Sequence, residues 1–373
     1  MLVSDQDRYF MGLALKEARK GIGRTSPNPC VGAIIVREQT VIARGYHKKA
    51  GAPHAEIHAL NKAGALASGA TLYVTLEPCN HTGRTPPCTK AIIASGIRRV
   101  VVGMEDPNPL VDGGGNTCLQ GQGIEVLSGV LAAECRLLNR PFIKHITQGM
   151  PWVVMKAGMS LDGRISYQPN QSGWITGPES LRKAHRLRDS VDAILVGSNT
   201  VMVDDPSLTT RLPGGRGKDP VRVILDTHLS ISEAARLLHL DSSASTWIFC
   251  GSEVSPDKIK KFSIAGKVVV HQVECGTDGR IDLRQMLALL ARAGVTSLLV
   301  EGGATVHGAF LSQQLIDHVN LFMAPIFAGN AGSPVVKGIN ISVSDKALRL
   351  QNVHYRRLGE DIMIEGDILY HHS

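Results

Sequence analysis

One histidine, one glutamate and two cysteines stand at spacings that suit metal-dependent hydrolysis. They are His54 and Glu56 in Pro53-His54-Ala55-Glu56, Cys79 in Glu77-Pro78-Cys79, and Cys88 in Pro86-Pro87-Cys88. Zinc takes imidazole nitrogen and thiolate sulfur in a tetrahedron, and a catalytic site uses three protein ligands and leaves the fourth position to water. His54, Cys79 and Cys88 fill that quota. A bound zinc acidifies its water, and a carboxylate close by that is not itself a ligand is needed to carry the proton. Glu56, two residues after the histidine, is the candidate.

Enzymes that deaminate nucleobases combine these groups, a glutamate moving protons from water to ring nitrogen and to departing ammonia. Their common signature separates the cysteines by two residues, whereas here eight intervene, Asn80-His81-Thr82-Gly83-Arg84-Thr85-Pro86-Pro87. A zinc site therefore requires the spacer to fold back on itself. The following run Cys88-Thr89-Lys90-Ala91-Ile92-Ile93-Ala94 reads as a helix with Pro87 near its first turn, where a missing N–H is harmless. Cys88 then sits at a helix N-terminus, whose dipole favours a thiolate. His81 is expected as a substrate contact, with Cys79-x-His81 as an alternative ligand pair. Arg84 and Thr85 offer donors to a ribose phosphate.

The stretches Thr25-Ser26-Pro27-Asn28-Pro29-Cys30-Val31-Gly32, His54-Ala55-Glu56 and Glu77 to Cys88 resemble the bifunctional riboflavin-biosynthesis deaminase/reductase family, long cysteine spacer included. Downstream, Lys156-Ala157-Gly158-Met159-Ser160-Leu161-Asp162-Gly163, Val196-Gly197-Ser198-Asn199-Thr200 and Glu301-Gly302-Gly303-Ala304-Thr305 are similar to its reductase half. The resemblance implies an α/β fold: an N-terminal cytidine-deaminase-like three-layer domain and a C-terminal dihydrofolate-reductase-like domain. It implies zinc-dependent deamination of 2,5-diamino-6-(5-phosphoribosylamino)pyrimidin-4-one, then reduction of the ribosyl group to ribityl with NADPH. Asn28, held between Pro27 and Pro29, and His47 are assigned to the base. Ala157, Trp174, Thr200, Asp204 and Gly303, Ala304, Thr305, Val306, His307, Gly308 and Ala309 are implied for NADPH. Ser172, Arg188, Leu208, Arg211 and Glu301 are implied for the ribosylaminopyrimidine, the arginines pairing with its phosphate, with Lys156 beside Asp162 as a further contact. On residue chemistry alone, Arg188 is equally a helix-face charge and Trp174 a core aromatic. Rival readings are a deaminase of a free base, nucleoside or tRNA with a degenerate second domain, and a nucleotide sensor without turnover.

Periodicity supplies the elements that must position these residues. Helices are expected over 5–20, 54–62, 89–95 and 131–139, strands over 31–37, 41–45, 71–75 and 99–104. Two helix starts then converge on the metal. Arg140-Pro141 and Gly149-Met150-Pro151 punctuate the chain, dividing a deaminase domain, 1–148, from a reductase domain, 149–373. The second domain reads as strands over 152–157, 193–197, 221–225, 247–250, 267–270 and 297–301, with helices over 178–189, 198–203 and 283–293. A helix from about Val306, a strand over 319–325 and two late strands near 348–357 and 361–369 complete a mixed sheet. A strand running into Gly302-Gly303 before a helix exposes backbone N–H groups to phosphate. The Gly/Pro/Asp-rich stretch from Asp204 to Pro220 is expected to be a mobile loop.

At 373 residues, 43% of them hydrophobic, the chain is long enough for two cores. Its apolar runs fall short of the roughly 20 residues a membrane span needs. The acidic start Met1-Leu2-Val3-Ser4-Asp5 lacks the pattern of a secretory signal, so a cytoplasmic enzyme is expected. Seven cysteines without tight spacing argue against a disulfide framework and for thiols kept free for metal. The net charge of +7 is dispersed and aromatics are only 4%, which argues against a nucleic-acid platform and for small phosphorylated substrates. A homo-oligomer is compatible with all of this.

Overall fold

The computed structural model describes residues 3–81, 86–108, 114–171, 173–215, 217–262 and 267–370. It divides into two compact units, Met1–Met150 and Pro151–Ser373. Among the described residues no helix is long and apolar enough to cross a membrane.

The first unit runs α1 (Asp5–Ala18), β1 (Gly32–Arg37), β2 (Thr40–Tyr46), α2 (Ala55–Ala63), β3 (Thr71–Leu76), α3 (Cys88–Ala94), β4 (Arg99–Met104), α4 (Gly115–Gly121), β5 (Glu125–Ser128), α5 (Ala132–Leu138) and α6 (Arg140–Gln148). Its sheet has the order β2-β1-β3-β4-β5, antiparallel on the β2 side of β3 and parallel beyond it. Strands buried on both faces, such as Gly32 to Val36 and Leu72 to Leu76, are continuous apolar runs because helices cover both sides. Two glycines set the approach of those helices: a Cβ on Gly32 would overlap the Ala14 carbonyl of α1, and one on Gly45 would overlap the Ala55 carbonyl of α2. Gly45 thus lets the first turn of α2 press on β2, which fixes where His54 and Glu56 stand.

The sequence reading missed α4, β5 and α6. Arg140-Pro141 begins α6 instead of ending structure, because proline is at home in a helix's first turn.

A buried carboxylate ties α1 to the sheet. Asp7, 3% exposed, is the N3 residue of a capping box with Ser4, accepts from Arg99 Nη1 at 2.7 Å, and accepts from the Tyr73 hydroxyl at 3.0 Å. Burial alone would raise its pKa, but Arg99, Ser4 and Tyr73 outweigh that and hold it at about 2.

The second unit runs β6 (Trp152–Met159), α7 (Pro178–Ser190), β7 (Ala193–Gly197), α8 (Ser198–Asp204), β8 (Val221–Leu225), β9 (Thr246–Gly251), α9 (Pro256–Phe262), β10 (Val268–Val273), α10 (Leu283–Arg292), β11 (Ser297–Val300), α11 (Ala304–Ser312), β12 (His318–Met323), β13 (Arg349–Leu358) and β14 (Asp361–Leu369). The sheet order is β10-β9-β8-β7-β11-β6-β12-β14-β13, parallel from β10 to β12 and closed by the antiparallel β14 and β13. Insertion of β11 between β7 and β6 is a crossover that local periodicity does not encode. α9, whose Lys258, Lys260 and Lys261 mask its apolar side, was also missed.

Asp7→Asn is expected to destabilise the first unit by about 2 kcal/mol, because Arg99 loses a buried charge partner. The Asp7 contribution is present above pH 4 and is lost as pH falls toward its folded pKa of about 2. The chain's three tryptophans, at 152, 174 and 247, all lie in the second unit. In urea, the Asp7→Asn chain should therefore show an earlier circular-dichroism transition beside an unmoved tryptophan-fluorescence transition.

Candidate active sites

His54 is the N-cap residue of α2, with buried Ala55 and Glu56 after it. Cys79 follows the C-terminal end of β3, and Cys88 opens α3 behind Pro87. The ligand atoms of His54, Cys79 and Cys88 lie within 4.8 Å of one another. His54 Nδ1 is 3.5 Å from Cys79 Sγ and 3.3 Å from Cys88 Sγ. Zinc bonds of about 2.1 Å to nitrogen and 2.3 Å to sulfur, opened to the tetrahedral angle, put N and S about 3.6 Å apart. The donor set fits the ion.

The eight-residue spacer closes because its two ends are stapled. Thr89 N–H donates to the Cys79 carbonyl at 3.3 Å, and the fully buried Thr89 hydroxyl donates to Asn80 Oδ1 at 2.8 Å. The Cys88 amide donates to Cys79 Sγ at 3.4 Å. His81 is exposed and lines the neighbouring cavity, outside the ligand group. Arg84 and Thr85 lie outside the described residues.

The Cys88 thiol, donating to Cys79, brings Cys79 down to about 4 against the effect of burial, with help from His54 and the Cys88 amide. Cys88 is pushed up by giving that bond and by burial. Its bond to Cys79 pushes His54 up. Burial pushes Glu56 up, partly offset by His54. Glu56 Oε2 is buried without a hydrogen-bond partner.

A cavity of about 210 Å³ opens at this cluster, lined by Asn28, His47, His54, Glu56, Cys79 and His81 among others. Asn28 Nδ2 donates to His47 Nε2 at 3.1 Å, and His47 Nδ1–H donates to the Pro53 carbonyl at 3.2 Å. Those bonds choose one tautomer, and burial lowers the pKa of His47, which keeps the ring neutral. The cavity is also lined by Asp106, Asn108 and Phe142, which the sequence reading missed. Asp106-Pro107-Asn108 follows the C-terminal end of β4, where loops carry function, and that was the available signal. Phe142 comes from α6 and carried none.

In the second unit, adjacency of β11 and β6 brings Glu301 to Lys156, Nζ to Oε2 3.7 Å. Arg188 of α7 grips Glu301 with two parallel bonds of 2.8 Å from Nε and Nη2. Burial would raise Glu301, but Arg188 and Lys156 hold it at about 2. The Nε and Nη2 edge of Arg188, expected to pair with a phosphate, is bonded here to Glu301. Asp162 accepts from Ser160 and from the Ala328 and Gly329 amides instead of meeting Lys156.

Two cavities meet here. One of about 520 Å³ is lined by Thr200, Asp204, Gly303, Ala304, Thr305 and Val306 among others. One of about 200 Å³ is lined by Lys156, Ala157, Trp174, Glu301, His307 and Phe322, and shares Thr200, Asp204 and Gly303 with the first. Trp174 is 70% exposed, so it is a rim residue and not a core aromatic. Gly308 and Ala309 line neither cavity; Gly308 is where the Lys337 carbonyl packs on α11. Helix α11 starts at Ala304, two residues earlier than expected, after Gly303 at φ +74°. Gly302 is required by packing, since a Cβ there would overlap Val196 Cα. Bare backbone at the start of α11 facing the larger cavity fits a dinucleotide's phosphates. Ser172 lies outside the described residues.

Leu208 is buried at φ +52°, a conformation that costs a non-glycine residue about 1–3 kcal/mol. The three residues after it are pinned: Arg188 Nη1 donates to the Thr209 carbonyl at 3.0 Å, Thr210 N–H to Asp219 Oδ1 at 2.7 Å, and Arg211 N–H to His185 Nδ1 at 3.2 Å. The loop over 204–220, expected to be mobile, is tethered by these bonds and by Lys218 N–H on Asp189 at 2.8 Å. Composition suggested freedom, but helix α7 supplies the anchors.

Residues 4–104 match the cytidine and deoxycytidylate deaminase zinc-binding region, and residues 151–364 match the RibD C-terminal domain. The chain is 42% identical to the riboflavin biosynthesis protein RibD of Bacillus amyloliquefaciens, over 98% of this chain and 99% of that one. It is 40% identical to the RibD of Aquifex aeolicus, over 97% and 99%. Among solved structures it is similar to Acinetobacter baumannii RibD, with a TM-score of 0.87 and 34% identity over 98% of this chain and 99% of that one. The diaminohydroxyphosphoribosylaminopyrimidine deaminase/5-amino-6-(5-phosphoribosylamino)uracil reductase of Thermotoga maritima gives a TM-score of 0.83 and 37% identity over 97% and 98%. With a zinc-ready deaminase unit followed by an NADPH-dependent reductase unit, the chain belongs to the bifunctional deaminase/reductase family of riboflavin biosynthesis.

Proposed function

We propose that Glu56 is the proton carrier that removes the 2-amino group of 2,5-diamino-6-(5-phosphoribosylamino)pyrimidin-4-one, and that Glu301, Lys156 and Arg211 orient the product for reduction of its ribosyl group. The observation that carries the reading is the three-ligand cluster with the unpartnered, buried Glu56 Oε2 beside it.

Zinc held by His54, Cys79 and Cys88 supplies the Lewis acidity that lets water give up a proton near neutral pH. Glu56 takes that proton and passes it to the ring nitrogen as the water oxygen adds to C2. It then delivers the second proton to the amine. One water is consumed, one ammonia leaves, and a carbonyl replaces the amine. Asn28 and the neutral His47 hold the base edge-on at this point. Phosphate contacts from the spacer loop, Arg84 and Thr85, keep the ribotide and exclude bare bases.

Gly303 to Val306 would hold NADPH, which would supply the hydride for reduction of the ribosyl group at C1. Glu301 and Lys156, side by side in the smaller cavity, would fix the ribose hydroxyls and so orient C1 toward the nicotinamide. Arg188 serves by holding Glu301 ionised. Arg211, exposed and donating from Nη1 to Thr209 Oγ1, meets the phosphate. The seven cysteines form no disulfide among the described residues, which supports work in a reducing cytoplasm, and the dispersed basic charge supports a small phosphorylated substrate over nucleic acid.

Two outcomes are expected. Cys88→Ser should lose stoichiometric zinc by elemental analysis and with it ammonia release, while still oxidising NADPH with the deaminated substrate; full zinc content in that variant refutes the ligand set. Glu56→Gln should keep zinc, yet release ammonia about 10²- to 10⁴-fold more slowly. Undiminished turnover removes Glu56 from the chemistry. Steady NADPH oxidation by the wild type excludes a sensor that binds without turnover.

A further inference from the structure

The reductase cavity rests on a helix whose inward residues have unequal jobs. On α7, His185 and Arg188 are three residues apart and so share a face. Both reach the segment 209–211. Arg188 donates to the Thr209 carbonyl, and His185 Nδ1 accepts from the Arg211 amide at 3.2 Å. Asp219 Oδ1 takes the amide between them, Thr210 N–H, and its Oδ2 takes the Ser242 hydroxyl at 2.7 Å. Leu208, buried and in the left-handed region, anchors the segment on its other side. Three consecutive residues of the loop are thus held by Arg188 and His185 from α7 and by Asp219 from the loop's far end.

We infer that His185 is a positioning residue for the reductase: as a neutral hydrogen-bond acceptor it fixes the backbone of Arg211 and so aims that guanidinium at the substrate's phosphate. This rests on the reading that Arg211 meets the phosphate. An accepting Nδ1 needs its lone pair, so the ring carries its proton on Nε2 and no charge. The surroundings enforce this. Histidine 185 is 4% exposed, and burial together with the positive charges of Arg188 and Arg211 brings its pKa down to about 4, despite nearby Glu301. A lysine or arginine here would bring a third cation against the two arginines and could only donate. Histidine supplies acceptance without charge in a place where a carboxylate would instead capture Arg211 and draw it off the substrate.

The test is steady-state reductase kinetics on the full chain with 5-amino-6-(5-phosphoribosylamino)uracil and with its dephosphorylated analogue. His185→Ala should raise KM for the phosphorylated substrate on the order of tenfold, the loss expected for one hydrogen bond, with little change in kcat. NADPH affinity should stay unchanged, which shows that the unit is folded. Kinetics with the dephosphorylated analogue should be the same in wild type and variant. His185→Asn, whose Oδ1 accepts from nearly the same place, should restore most of the affinity. Equal losses on both substrates, or no loss on either, overturn the inference. Arg211→Ala separates the inference from the reading beneath it. If that variant keeps a wild-type KM, the phosphate assignment falls and the inference with it; if it raises KM while His185→Ala does not, the inference alone falls.

Discussion

A charge taken out of water is expensive unless a partner meets it, and both sites of this chain are built around one such charge. In the first unit it is the proton-poor sulfur pair of Cys79 and Cys88 beside His54 Nδ1, which a divalent cation would satisfy. In the second it is Glu301, fully matched by Arg188 and Lys156. A buried thiolate beside a thiol and an imidazole leaves three donor atoms that one cation can complete. A carboxylate gripped by a guanidinium fork is already satisfied, and it keeps a fixed, ionised edge for hydroxyl groups.

The scaffolds deliver these charges in the same way. Cys79 and Asp106 follow the C-terminal ends of neighbouring parallel strands β3 and β4, and Glu301 and Ser198 follow those of β11 and β7. In a parallel sheet those ends lie along one edge, and the helices that come next begin there, with their unpaired amides turned to the same place. His54 at α2, Cys88 at α3 and Ala304 at α11 are all helix starts. Close contact between helix and sheet is what makes the placement accurate, and Gly45 and Gly302 permit it by lacking a side chain where backbone passes.

The 209–211 segment of the second unit is held by polar side chains, two from α7 and one from Asp219, and not by a ladder or helix of its own. The segment after Leu208 has no ladder or helix to satisfy its backbone, so Arg188, Asp219 and His185 do so one group at a time. A loop held in this way can carry a substrate contact with the accuracy of a strand. Arg188 shows how one side chain serves two purposes, since the guanidinium that keeps Glu301 ionised also grips Thr209.

The candidate metal group, the glycine turn before α11 and most elements were legible in the sequence, because each depends on residue type or on periodicity within a few neighbours. His54 and Glu56 share one helix start, so their relation is local. The spacer was the doubtful point, and its closure depends on Thr89 reaching back to Cys79 and Asn80, a fact of loop geometry. Phe142, the commitment of Arg188 to Glu301 and the tethering of residues 209–211 were beyond reach for a related reason. Arg188 and Glu301 are 113 positions apart and meet through a strand crossover that no local pattern records, while Phe142 and the 209–211 tethers depend on how a helix packs against its neighbours. Sequence alone determined which chemical groups exist and which faces they take on their own helix or strand. Tertiary structure decided which of those groups meet, because strand order and the inward faces of α6 and α7 follow from packing across the whole sheet.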